Sequence, residues 1–241
     1  MKIVSDLACE LLRRQPKDCS GVEITTTKQR GITTQTTVIT DRAAAKSIGK
    51  PVGTYLNLDA TTTQPKRIIT ALNQALKPLV LDNTKILIVG LGNDKIVADS
   101  LGPSVLNLID TGEHCLTFEP SVFGITGINS VDAIQAICHL TKPTSVIVID
   151  SLVSAAPERI GTNFQICTSG ITPGSGLGRN NQTINQALLG VPVLALGVPV
   201  CTIMTRPKGR IYHVVPKDID LVIQDCAQII AHAINTLALH N

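Results

Sequence analysis

From about Pro65 onward the chain alternates between two hydrophobic periods, and this alternation constrains the fold more than any other feature. Ile68, Ile69, Leu72 and Leu76 recur at helical spacing, and residues 85–89 follow as a short apolar run ending at Gly90. A helix over 99–109, a short strand at 116–118 and an amphipathic helix marked by Ile128, Val131, Ile134 and Ile137 continue the rhythm. Residues 146–149 form an unbroken β-branched run, the pattern of a strand buried on both faces. Strands are expected again at 163–167, 191–196 and 211–215, before a last helix over about 216–239. Strands separated by helices build βαβ units and a mainly parallel sheet.

The first sixty residues follow a different rule. Residues 22–40 contain eight Thr and alternate around Val22, Ile24, Ile32, Val38 and Ile39, with Gly31 in the middle, which predicts two strands joined by a turn. Residues 41–48 carry Ala43, Ala44 and Ala45 behind a Thr40 or Asp41 cap, with Gly49 placed to end a short helix, and a strand over 54–58 follows. No repeat and no linker divides the 241 residues, so the expectation is one domain over 1–241, with the β-rich portion 1–60 packed on an α/β core.

Composition narrows the function. Aromatic residues are 2% of the chain, with no Trp, so the stacking surfaces that single-stranded nucleic acid needs are missing. The net charge is only +3, and the tightest basic cluster is Arg206, Lys208 and Arg210, which is no basic stripe. No nucleic-acid partner is therefore expected. The seven Cys never form close C-x-x-C pairs and fit reduced, mostly buried thiols of a cytoplasmic protein. Asp6 and Glu10 interrupt any leader-like apolar stretch, and no later run approaches membrane-spanning length. His114, His139, His213, His232 and His240 share no metal-binding spacing, so no metal and no cofactor are expected.

Three polar, glycine-containing connections follow predicted strands: Gly90 and Gly92 through Asp99, Asp150 with Ser151, and residues 169–181. In open α/β sheets, ligands bind beyond the carboxyl ends of the strands. The first connection lacks the third glycine of a dinucleotide loop, where Lys95 stands, and the chain has no phosphate-binding P-loop and no G-x-S-x-G serine elbow. Asp99 and Asp150 fall at the tips of two neighbouring strands, where paired carboxyls can divide into an acid and a base. Each also has a plainer reading, Asp99 as a helix cap and Asp150 as the cap of its own turn. The glycine-rich stretch with Gly174, Ser175 and Gly176 suits either a backbone cradle for an extended peptide or anion, or a surface loop.

Several runs in order resemble the germination proteases, endopeptidases that degrade small acid-soluble spore proteins when spores germinate. Ser5, Asp6, Leu7 and Ala8 resemble that family's mature N-terminus, and residues 45–55, which include Gly49, Lys50, Pro51, Gly53 and Tyr55, are similar to a long family signature. Residues 89–93, 99–103, 126–128, 148–152, 158–159, 174–176 and 189–193 continue the likeness, as does the start of the last helix at 215–220. The resemblance implies a three-layer α/β fold like that of hydrogenase maturation peptidases, with a mainly parallel sheet flanked by helices and an N-terminal β-hairpin element. It also implies a metal-independent endopeptidase with Asp99 and Asp150 as the catalytic pair. Asn93 and Arg159, and Gly174, Ser175 and Gly176, become candidates for positioning or binding substrate. Its implied setting is the cytoplasm of the spore core, with small acid-soluble spore proteins as substrate and a homo-oligomer, possibly a tetramer, as the assembly.

The chain departs from the family pattern between Val200 and Val215, where typical members carry a substantial extra segment, and at Arg179, Asn180 and Asn181 in place of a basic pair. It starts only a few residues before Asp6, so activation by removal of a prosegment is not expected. Two other readings remain open. Hydrogenase maturation peptidases, which recognise bound nickel, resemble the chain in the G-x-G-N loop and the acid after a later strand, but their histidine ligand has no counterpart between His139 and His213. A spore protein that keeps a peptide crevice without turnover is the other.

Overall fold

A computed structural model describes residues 5–12, 20–61, 63–79, 85–174, 182–205 and 211–238. The elements run α1 (Ala8–Leu12), β1 (Val22–Gln29), β2 (Ile32–Ile39), α2 (Arg42–Ile48), β3 (Gly53–Asp59), α3 (Pro65–Leu76), β4 (Ile86–Gly90), α4 (Leu101–Leu106) and β5 (Cys115–Phe118). They continue as α5 (Phe123–Thr126), α6 (Ser130–Thr141), β6 (Ser145–Ser154), β7 (Asn163–Cys167), α7 (Gln186–Leu189), β8 (Val193–Thr205), β9 (Ile211–Val214) and α8 (Ile219–Ala238). None of the described helices is long and apolar enough to cross a membrane.

The nine strands among the described residues join one sheet in the order β1-β2-β3-β7-β8-β6-β4-β5, with β9 added to β8. Parallel pairing links β5, β4, β6 and β8, and every other pairing is antiparallel. The α/β class and the flanking helices are as expected, but the sheet is mixed rather than mainly parallel. Connection length explains the difference. Only residues 155–162, including a 3-10 turn at Pro157–Arg159, separate β6 from β7. That is too short for a crossover, which needs a dozen residues or more, so β7 returns antiparallel and brings β3 and the hairpin into the same sheet.

Alternation along the strands builds the layers. Ile86 and Ile88 of β4 and Ile147 and Ile149 of β6 pack with α3, α4 and α8 on one face. Leu87, Val89, Val146 and Val148 pack with α6 on the other. Pro65 opens α3, where it sacrifices no hydrogen bond, and Ile68, Leu72 and Leu76 then bury one stripe. In α2, the Asp41 side chain accepts from Ala44 N and Gly49 closes the helix, as its sequence predicts. On the second face, next to the α6 layer, α1 and α2 cover β2, β3 and β7 through Leu12, Ala44, Ile48, Ile39 and Tyr55.

Polar contacts hold α1 alongside apolar ones. Glu10 is ion-paired to Arg159 at 3.2 Å, accepts from Ser154 Oγ at 2.6 Å and accepts from Ala155 N at 2.7 Å. Gln165 accepts from Ala8 N and donates to the Asp6 carbonyl. The Asp6 carboxylate accepts from Val153 N at 2.9 Å, next to a register shift in β6 between Leu152 and Val153. The described cysteines are buried, Cys9 accepting from Asn57 and Arg159, and Cys19 lies outside the described residues.

Candidate active site

β4 and β6 are parallel neighbours, so the connections that leave their carboxyl ends open into the same space. Asp150 is the sixth residue of β6, and its Oδ1 accepts from the next backbone N–H, that of Ser151, at 2.9 Å. Asp99 does not sit inside a helix beginning at 99. It closes a 3-10 turn, Val97–Asp99, and α4 starts at Leu101 with Ser100 in the cap position.

The loop that delivers Asp99 folds tightly on itself. Asn93 N donates to the Asp99 carbonyl at 2.9 Å, and Asp99 N donates to the Ile96 carbonyl at 2.8 Å. Gly92 has φ +121°, and a Cβ there would run into the Asp99 carbonyl oxygen, so only glycine lets the two strands of the loop touch. A second close approach follows, because a Cβ on Gly102 would meet the Leu91 backbone. The two glycines of this connection and Gly102 of α4 thus serve the placement of Asp99 rather than a nucleotide.

Asp99 and Asp150 line one cavity of about 190 Å³. Asp6, Lys50, Tyr55 and Ser169 join its wall from the N-terminal segment, the turn before β3, β3 itself and the segment after β7. Burial pushes the Asp150 carboxyl well above the ordinary carboxylate range, and the neighbouring charges of Asp99 and Asp6 push it further, opposed only by the Ser151 N–H. Ser169 Oγ donates to the Tyr55 hydroxyl, which donates to the Pro51 carbonyl at 2.7 Å, and burial raises the tyrosine so that it stays neutral. Cys201, on β8, is raised to about 11 by burial and by the charges of Asp6 and Asp99, so it is a thiol rather than a thiolate nucleophile at neutral pH. Among the described residues no three His, Cys, Asp or Glu side chains converge to hold a metal ion.

The remaining expected site residues divide. Gly174 lines the cavity, whereas Ser175 and Gly176 lie outside the described residues. Asn93 turns its side chain back to accept from Lys95 N at 3.0 Å and is not among the cavity residues. Arg159 is buried against Glu10 and Cys9, away from the cavity wall. Its contacts hold α1, and α1 follows directly on Asp6, so Arg159 touches the site at one remove. Sequence reasoning did not single out Asp6, Lys50 or Tyr55 as site residues, and it reached Ser169 only as the first residue of the 169–181 connection. The signal for two of them was the run through Lys50 and Tyr55, a signature with no evident structural purpose until the turn before β3 is seen to close the cavity.

The likeness to known proteins spans most of the chain. The family model described as germination protease matches residues 3–205, a span that includes every described wall residue named above. The germination protease of Caldanaerobacter subterraneus subsp. tengcongensis is 34% identical over 221 residues, covering 82% of this chain and 68% of that protein. Those of Bacillus cereus and Clostridium tetani are 34% and 31% identical, covering 81% and 83% of this chain. The chain spans 62% of the Bacillus cereus protein and 70% of the Clostridium tetani one, so up to about two-fifths of a relative's length has no counterpart here. Among solved structures, a nickel–iron hydrogenase maturation protease from Thermococcus kodakarensis aligns with a TM-score of 0.41 at 19% identity, over 66% of this chain and 97% of that one.

Proposed function

Because the chain belongs to the germination protease family, we propose that it is an endopeptidase that hydrolyses small acid-soluble spore proteins during germination, with Asp99 and Asp150 as its acid–base pair. The observation that carries this reading is the meeting of the two carboxyls in one cavity, with Asp150 raised by burial and by Asp99 itself. Two carboxyls in one crevice whose affinities for protons are driven apart supply an acid and a base at the same pH.

In this mechanism Asp150 holds its proton and donates it toward the oxygen of the scissile carbonyl. The Asp99 carboxylate accepts a proton from water as the water oxygen bonds to the carbonyl carbon. The tetrahedral intermediate then collapses: the proton held by Asp99 passes to the amide nitrogen, the C–N bond breaks, and Asp150 recovers its proton from the hydroxyl. The Asp6 charge favours the acid form of Asp150, and the Asp6 bond to Val153 N fixes β6 just beyond the catalytic position. The same reading places the protein in the cytoplasm of the spore core and treats it as a homo-oligomer, possibly a tetramer.

The test is cleavage of a purified small acid-soluble spore protein by the full chain, Asp99→Asn and Asp150→Asn, each with and without a chelator. General acid–base catalysis is worth roughly 10²–10⁴-fold, so each variant should lose about 10³-fold in kcat/KM, with unchanged circular dichroism and no chelator effect. Cleavage that survives both substitutions would remove the aspartates from the mechanism, and a folded parent that cuts nothing would remove the substrate.

A further inference from the structure

A second cavity lies across β3 from the aspartates. It encloses about 300 Å³ between the β1–β2 hairpin and α3, and it shares no lining residue with the aspartate cavity. Side chains alternate along β3, so Tyr55 lines the aspartate cavity while Leu56 and Leu58 face α3 and form an apolar floor here. The rim is polar, with Thr27 and Gln29 from β1 and Gln74 from α3. Arg30, in the hairpin turn, and Arg67, in the first turn of α3, complete it, and no described lining residue is acidic.

Both arginines stand where local physics disfavours them. Arg30 and Gly31 make the two-residue turn of the hairpin, with φ +51° and +86°. A turn with two positive φ values prefers Asn, Asp or Gly at its first position, and a long side chain there strains the backbone. Arg67 follows Lys66 in a first turn that holds no acid, although the helix dipole already makes that end positive. Arg67 Nη1 donates to the Arg30 carbonyl at 3.0 Å, which holds the two residues together and uses one of the five N–H groups of the fork. Among the described residues neither arginine is ion-paired. Two cations brought together above an apolar floor, with no carboxylate between them, are the complement of an anion with an apolar body.

We infer that this cavity binds a small organic oxyanion, a carboxylate or phosphate carried on an apolar body, with Arg30 and Arg67 holding the anionic group and Leu56 and Leu58 packing on the body. Guanidinium forks match the geometry of both groups. Ligand pockets span roughly 300–1,000 Å³, so this volume suits a small molecule and not a polypeptide segment. The inference stands apart from the peptidase reading, because the two cavities have no residue in common.

The experiment follows the backbone amides of the full chain by NMR during titration with benzoate, phenyl phosphate, benzyl alcohol and inorganic phosphate. At least one of the two organic anions should shift Thr27, Gln29 and Gln74 saturably. Benzyl alcohol lacks the charge and inorganic phosphate lacks the body, and each loss should weaken binding by about 10-fold or more. Arg30→Asn and Arg67→Gln should also each weaken the tighter anion by about 10-fold. Arg30→Asn should melt no lower than the parent, because Asn suits the turn, and Arg67→Gln should keep the parent's melting temperature, because it relieves the helix end. Binding lost without stability lost is loss of a ligand contact and not of the fold. Binding of either organic anion upholds the site, and the tighter one names the group it takes. No saturable shift with either, shifts confined to other residues, inorganic phosphate as tight as phenyl phosphate, or variants that bind like the parent would overturn it.

Discussion

The two halves of the sheet reach order by opposite means. In the parallel half, every residue of β4 is buried, and the strand is covered on both faces by helices. In the antiparallel half, β1 is exposed along nearly its whole length, on both faces, and its partner β2 is buried at only three positions. The parallel half must close into a rigid core before its strand tips can hold a pair of carboxyls at a fixed separation. The antiparallel half contributes walls, through Tyr55 on β3 and Ser169 just after β7. Burial, and not regular hydrogen bonding, is what separates the half that carries the two aspartates from the half that frames their cavity.

The hinge between the halves is where the largest effect is expected. Arg159 and Glu10 are both nearly buried, and together they tie α1 to the end of β6 and to the turn before β7. Removing one partner of a buried pair leaves a charge without compensation and costs about 3–5 kcal/mol. Arg159→Met should lower stability to urea by that amount, and the double variant with Glu10→Gln should recover a good part of it. If the single variant costs nothing, α1 is held by its apolar side alone and the two halves are less coupled than the contacts indicate.

Within the parallel half, Ile88→Ala removes a fully buried side chain from the centre of β4. Substitutions of this kind cost about 2–5 kcal/mol, through lost burial and the cavity left behind. A urea midpoint that barely moves would mean that the parallel core is loosely packed, and the contrast with the hairpin would fail.

A smaller effect should appear in the pH dependence. The folded chain keeps a proton on Asp150 at pH values where the unfolded chain, with an ordinary value near 3.8, has released it. Folding therefore takes up a proton in the window between that value and the raised one, so stability falls as pH rises through the window and is level above it. Asp150→Asn cannot ionise, so it should be more stable than the parent at neutral pH, and the difference should vanish as pH drops toward about 4. The melting temperature of both proteins against pH checks this. Activity of the parent should fade on the alkaline side, where Asp150 loses the proton it donates. In the proposed mechanism the buried group at the strand tip is the acid, which sets β6 apart from every strand of the hairpin.

Much of this contrast was legible in the sequence, because the two halves use different hydrophobic periods. The helical spacing through Leu72 and Leu76, the β-branched run before Asp150 and the Thr-rich pair around Gly31 each report on contacts within one element, and each element formed where its period placed it. Pairing order is another matter. β7 is buried at all five positions, and such a strand looks the same whether its neighbours run parallel or antiparallel. The length of the connection before it carried the answer. Arg159 was legible as a charged residue in a family-like run, but its partner Glu10 lies 149 positions away, at a distance that local pattern cannot bridge. The aspartate pair was readable because strand tips are geometric landmarks, whereas Asp6 and Lys50 reach the crevice from loops, whose paths follow from tertiary packing.

The smallest predicted effect is the one that defines the framing half. Thr26 lies mid-strand in β1, is exposed, and pairs with Gln35 across the hairpin. Its backbone hydrogen bonds persist in Thr26→Ala, so the change removes only a β-branched side chain that packs against little. Exposed substitutions away from special features stay within about 0.5 kcal/mol, and that is the expected shift in urea stability, with kcat/KM unchanged. A loss several times larger would mean either that the outer face of β1 is covered when the protein is in solution or that the hairpin bears on the cavity wall. Measuring Thr26→Ala at protein concentrations spanning two decades distinguishes the cases. A cost that grows with concentration would place a second copy of the chain against the strand, while a cost independent of concentration would mean that the hairpin supports the cavity wall through β3 more directly than its exposure suggests.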